Sequence, residues 1–349
     1  MTAACSAFCP RGGLRRFRAR LVLAACLLAG LWLAPVAAAE PYLALREGLK
    51  CSVCHVNVTG GGKRTDFGSQ YALTRLAAPT DDAAADAPRF GGRFDPFVSI
   101  GANLRVALDY ADVPHQQVRS EFVVRRALLY LQVDPLPGEL TFYLDQQVAP
   151  GAAQAREVFA LLKGLPGGLY LKAGRFFLPY GLRVEDNSAL VREVSGFSMA
   201  VSDTGVELGA EPGPWSLAFS LTNGTQGAGE DNNTKQAVLS AALVGRRARA
   251  GASFSENEAA DGSGRQAAAL FGGLGGGRFV ALGELARLED RGPDIGRRTQ
   301  LVLLSELNAL LAAGMNLKLA YEWHDPDPNP AMEKETKEKT PLVLVGSRC

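Results

Sequence analysis

Five consecutive residues carry the clearest chemistry in this chain: Cys51-Ser52-Val53-Cys54-His55. Two thiols three positions apart, followed at once by an imidazole, match the C-x-x-C-H pattern through which c-type haem is attached. The spacing lets the thiols add to the two vinyl groups on one porphyrin edge. The next residue then brings its imidazole under the iron. Cys51 and Cys54 are therefore assigned to the thioethers of a haem c. His55 is assigned as the proximal iron ligand, which helps set the redox potential. The chain holds six Cys and three His in 349 residues, so this pattern arises by chance in roughly one such composition in a thousand. Two bland alternatives exist. A thiol redox pair wants a thioredoxin-like βαβ unit nearby, and none is visible. A structural zinc site wants a third and fourth ligand, and residues 40–95 hold no other Cys or His.

The motif needs elements to position it, and few residues are on offer. Leu45 to Lys50 can form one helical turn leading in, and Asp66 to Ala77 a short helix. Between them, Gly60-Gly61-Gly62 reads either as a flexible loop or as a sharp turn allowing close backbone approach to a porphyrin. These surroundings resemble a small monohaem cytochrome segment, placed at residues 40–78. A full c-type cytochrome domain is longer and usually offers a second axial ligand. The only nearby donor here is Lys63, a weak one. His115, Met199, Met315, His324 and Met332 lie far along the chain, so the distal ligand is left open. A stretch rich in Ala, Asp and Pro, centred on 78–88, reads as a linker, assigned to residues 79–93.

Export is expected. Residues 1–39 hold five arginines and no acid; an apolar run Leu21–Leu33 follows, and Ala37-Ala38-Ala39 supplies a small-residue cleavage site. That is the layout of a secretory signal peptide. The formal charge of +1 includes those five arginines, so the remainder carries −4. A mildly acidic body gives no support for nucleic-acid binding. After removal of the signal, Cys51, Cys54 and Cys349 remain, too few for a disulfide framework.

From about residue 94 the dominant period is two. Val98, Ile100, Ala102, Leu104, Val106, Leu108 and Tyr110 share one face; Ser99, Asn103, Arg105 and Asp109 share the other. Trp215–Thr222 and Met315–His324 repeat the pattern, which is that of strands with one apolar and one polar face. Tight turns separate them at 135–138, 164–168, 211–214 and 275–277, alternating with longer polar connections at 223–234 and 257–264. About fourteen strands of roughly ten residues, joined by short turns on one side and long loops on the other, predict an outer-membrane antiparallel β-barrel over residues 94–349. A soluble sandwich fits less well, because the polar face is uninterrupted. A solenoid would need a fixed repeat.

The stretch Tyr170-Leu171-Lys172-Ala173-Gly174-Arg175-Phe176-Phe177-Leu178-Pro179-Tyr180-Gly181-Leu182-Arg183 resembles the mid-barrel segment of phosphate-selective-type porins. Arg125-Arg126-Ala127-Leu128-Leu129-Tyr130-Leu131 resembles an early strand of that group. The resemblance runs over residues 95–325 and implies solute passage. Phosphate selectivity does not carry over, because the lumen candidates mix Arg105 and Lys318 with Asp109, Asp145 and Glu322. The region from Pro179 to about Ser202 lacks alternation and is expected to fold inward as a constriction loop. The charged run 325–339 and the ending Ser347-Arg348-Cys349 depart from the aromatic-terminated closing strand of such barrels, which suggests a truncated or shifted C-terminus.

The expected whole is a mainly β protein, a small helical haem segment ahead of a barrel. It is expected in the outer membrane with the haem on the periplasmic side, non-enzymatic, and working in electron transfer. Outer-membrane lipid, periplasmic or outer-membrane cytochromes and copies of itself are the expected partners. The alternative is a passive diffusion porin whose haem is structural, a sensor or a plug.

Overall fold

The computed structural model describes residues 41–76, 91–111, 118–230, 232–293, 296–326 and 343–348. The expected signal segment, most of the linker and the charged C-terminal loop lie outside them. Among the described residues, fourteen strands form one antiparallel sheet in strict sequence order. They are β1 Val98–Ala111, β2 Arg119–Leu136, β3 Leu140–Ala149, β4 Gln154–Leu165, β5 Leu169–Phe176, β6 Asp203–Ala210 and β7 Trp215–Thr222. The series continues with β8 Gln236–Val244, β9 Ala248–Glu258, β10 Gly264–Gly276, β11 Phe279–Gly292, β12 Gly296–Ala312, β13 Met315–Asp325 and β14 Val343–Arg348.

The burial pattern settles what kind of sheet this is. Leu104, Leu270 and Leu274 are 71, 65 and 69 % exposed, while Lys172, Glu207, Glu157 and Asn308 on the opposite face are 0 % exposed. In water such a sheet would bury its apolar face, since exposing it costs about 25 cal/mol per Å². In a lipid-facing barrel the apolar face needs no cover and the polar face lines the interior. The alternation read from β1 and β7 holds residue by residue: Leu217, Phe219 and Leu221 point out, and Ala218, Ser220 and Thr222 point in.

One end of the barrel carries tight connections: 137–139, Pro166–Gly168, 211–214, 245–247, 277–278 and 313–314. The other end carries short links at 150–153 and 293–295 but also every long connection, chief among them residues 177–202 between β5 and β6. As expected, this loop folds inward. Phe177, Tyr180, Leu182, Val191, Arg192 and Phe197 are all buried. Its backbone donates to the wall, from Gly181 N to Ser253 Oγ at 3.1 Å and from Leu182 N to Glu284 Oε2 at 2.7 Å. Arg192 pairs with Glu284, and Arg126 of β2 pairs with Glu185. Its helix, Leu190–Ser195, ends at Gly196, whose φ of 79° closes the turn back onto Arg192 O.

Residues 41–76 enter the interior only in part: Tyr42, Leu45, Val56, Asn57 and Val58 are buried, while Phe67 and Leu73 stay exposed. Helix α1 (Pro41–Glu47) packs on β10 and β11. It runs further back than the expected turn and stops at Gly48, whose φ is 65°. There the chain passes so close to the 245–247 turn that an added Cβ would lie 2.7 Å from Arg246 Cα. Helix α2 (Cys51–Cys54) and helix α3 (Asp66–Tyr71, capped by Thr65 Oγ1) follow, and α3 runs into a π turn at Ala72–Leu76.

Candidate haem site

Cys51 and Cys54 form the ends of the single turn α2, which brings both thiols to one side. His55 follows in extended backbone, its N–H donating back to Cys51 O at 2.9 Å. The three residues predicted from the sequence are thus side by side. They line one cavity of about 1250 Å³, a figure that includes its open mouth. Both thiols are free. Burial raises the Cys54 thiol above its ordinary value, with Cys51 adding to the effect. His55 is half-buried, and its Nδ1 is a buried atom with no hydrogen-bond partner. Burial, then the charge of Arg64, pushes its pKa down to about 4, so the ring is a neutral base near pH 7. A neutral imidazole is the form that binds a metal.

The cavity is composite. The N-terminal segment supplies Leu43, Leu49, Cys51, Cys54, His55 and Gly60. The inner wall of β7 and β8 supplies only small residues over much of its face: Ser216, Ala218, Ser240 and Ala242. Phe271 of β10, Arg249 of β9, and Pro179, Leu182, Arg183 and Met199 of the inward loop complete it. These barrel residues lie outside residues 40–78, the segment that the sequence assigns to the haem. No spacing rule in the sequence connects them to the motif.

The glycine run is a built turn. Gly60, Gly61 and Gly62 have φ of 95°, 86° and 67°. A Cβ on Gly60 would come 3.3 Å from Cys51 Sγ, and one on Gly61 would come 3.1 Å from Met199 Cε. Lys63 faces the wall. Its Nζ bonds Gln132 Oε1 at 3.2 Å, and its backbone N–H donates to Tyr143 Oη at 2.8 Å.

These residues fit a haem. The cavity beside the motif is lined by the small side chains of Ser216, Ala218, Ser240 and Ala242, a neutral imidazole and two free thiols. Arg183 Nε and Nη2 and Arg249 Nε are buried without partners, and an anionic group of a bound tetrapyrrole would supply one. A bare metal ion fits less well: among the described residues no group of three or more His, Cys, Asp or Glu is placed to hold one.

The segment is tied to the short-turn end of the barrel. Lys50 Nζ contacts Glu211 O, Trp215 O and Glu211 Oε2 at 3.0, 2.6 and 3.2 Å. Arg249 Nη2 donates to Leu49 O at 3.0 Å, and Arg46 Nη2 to Asn316 Oδ1 at 3.1 Å. Asn57 Nδ2 donates to Glu157 Oε1 at 2.8 Å. The lumen itself carries both signs, with Lys172 paired to Glu207 at 2.7 Å and Lys318 to Glu306 at 2.8 Å.

No protein-family model matches the sequence, and no curated protein matches it either. Solved structures do match in fold. The anion-selective porin from Comamonas acidovorans is 14% identical, with 68% of this chain and 80% of that one covered at a TM-score of 0.51. OmpF of Salmonella typhi, solved with daunomycin, is 11% identical, with 72% and 85% covered at a TM-score of 0.50. At these identities the likeness is one of fold: a porin-like barrel.

Proposed function

We propose that this chain is a porin-like outer-membrane barrel that carries one covalent haem c in its short-turn mouth and serves electron transfer. The observation that carries the reading is the shared cavity. Cys51, Cys54 and His55 face a slot whose other walls come from the barrel. When bound, the group supplies a one-electron Fe(III)/Fe(II) couple. Cys51 and Cys54 hold it, His55 orients it, and the small residues of β7 and β8 leave room for it. Short turns lie on the periplasmic side of bacterial outer-membrane barrels, so the segment belongs to the periplasmic mouth, within reach of periplasmic cytochromes. The exposed apolar band suits lipid, and further copies of the chain are compatible partners. The test is reduction of the purified, membrane-extracted chain by a periplasmic-type cytochrome donor. Transfer to a bound haem supports the reading, and an inert haem contradicts it.

A second reading has its own support. The solved structures that match in fold are porins, and that likeness bears on the barrel directly. In this reading the chain is a passive diffusion porin and the haem is structural, a sensor or a plug. Planar-bilayer conductance separates the two: a steady open channel favours the porin, a closed one the electron-transfer protein. The mixed-sign lumen favours no anion preference in either case.

A further inference from the structure

Sequence spacing leaves the second axial position of the iron open between the weak donor Lys63 and five distant His and Met residues, and the structure places one of these, Met199, in the cavity that His55 lines. We propose that Met199, from the inward loop of the barrel, is the sixth ligand of the iron that His55 holds from the other side. This rests on the haem reading above.

Only one uncommitted donor lines the cavity among the described residues. A second ligand must present an uncommitted lone pair to the space beside His55. Of the donors lining the cavity, Lys50 is committed to Glu211 and two backbone carbonyls. Glu47 accepts from Tyr71 Oη at 2.7 Å, which commits both. Lys63, the candidate nearest in sequence, is turned into the wall. The hydroxyls of Thr59, Ser216 and Ser240 are weak neutral donors to iron. Met199 remains, and its thioether is the only one lining the cavity among the described residues. Its side chain is buried at 5 % exposure and lies on the Gly60-Gly61-Gly62 turn, close to Gly61. That turn packs on Cys51 and adjoins His55, so sulfur and imidazole approach the same slot.

Met199 is also held in place. Arg156 Nη2 of β4 donates to Met199 O at 3.0 Å, and the Arg156 guanidinium lies over the Phe177 ring. Val201 N donates to Ser198 O at 3.2 Å, closing a turn around Met199. Arg175 Nε donates to Ser202 Oγ at 2.7 Å just beyond it. A ligand fixed on a supported turn needs little reorganisation to bind. The consequence is mechanical as well as electronic. The iron would bond the N-terminal segment to the constriction loop, and a His/Met pair raises the potential.

The test uses the full chain, made in a strain competent for haem ligation and extracted from membranes. Wild type is compared with Met199→Leu, which keeps the volume and removes the sulfur, and with Met199→His. The expected ferric wild type is low-spin and shows the near-infrared charge-transfer band of thioether ligation. Met199→Leu loses that band, turns high-spin and has a lower midpoint potential. Met199→His is low-spin without the band. A covalently haem-loaded wild type lacking the band overturns this proposal alone, as does a band that persists in Met199→Leu. A wild type with no covalent haem overturns the haem reading itself. Retained protease resistance of the extracted variants shows that the barrel is intact.

Discussion

Asn57 Nδ2 donates to Glu157 Oε1 at 2.8 Å, and both side chains are wholly buried. This bond joins the haem segment to β4 inside the barrel, three residues past the second thiol. Phe177 N donates to the same carboxylate oxygen at 3.1 Å. One Glu therefore ties together the N-terminal segment, the barrel wall and the start of the inward loop.

Removing that tie should loosen the mouth without unfolding the barrel. Asn57→Ala leaves Glu157 short of a buried donor, at a cost of about 1–3 kcal/mol. The expected outcome is faster proteolysis within residues 41–76 while the barrel core stays resistant. Unchanged cleavage would show that the contact holds nothing.

The inward loop should depend on Arg192 more steeply. Its guanidinium is buried against Glu284 and also donates to Tyr180 O and Phe197 O. Arg192→Met strands the carboxylate, and breaking a buried pair in this way costs about 3–5 kcal/mol. The loop should leave the lumen, raising single-channel conductance in planar bilayers. Conductance equal to wild type would contradict this.

Acid should destabilise the haem-free chain through His55. Its pKa is about 4 when buried and 6.5 as an ordinary imidazole. Between those values the unfolded chain binds the extra proton, so stability is full above pH 6.5 and declines as pH falls toward 4. The loss is about 3 kcal/mol across that window. In a Cys51→Ala/Cys54→Ala chain, unfolding midpoints should fall over this range, and His55→Asn should flatten the decline.

The barrel was legible because period-two alternation survives in the burial pattern of strands such as β7 and β11. The loop at 177–202 was legible through the loss of that alternation. The cavity was legible only in part. Cys51, Cys54 and His55 are adjacent in sequence, and their chemistry is local. Arg183, Met199, Ala218, Ala242 and Arg249 reach them through barrel curvature and loop docking, which leave no signature in spacing. The glycine run at 60–62 was ambiguous for a related reason. Only its neighbours, Cys51 and Met199, show that it is a packed turn.

Covalent attachment of the haem to Cys51 and Cys54 is tested by haem staining. The full chain, made in a haem-ligating strain and extracted from membranes, is run on a denaturing gel and stained for haem. A haem-positive band at the chain's own position, absent in Cys51→Ala/Cys54→Ala, is the predicted result. A colourless band for wild type in that strain would contradict it.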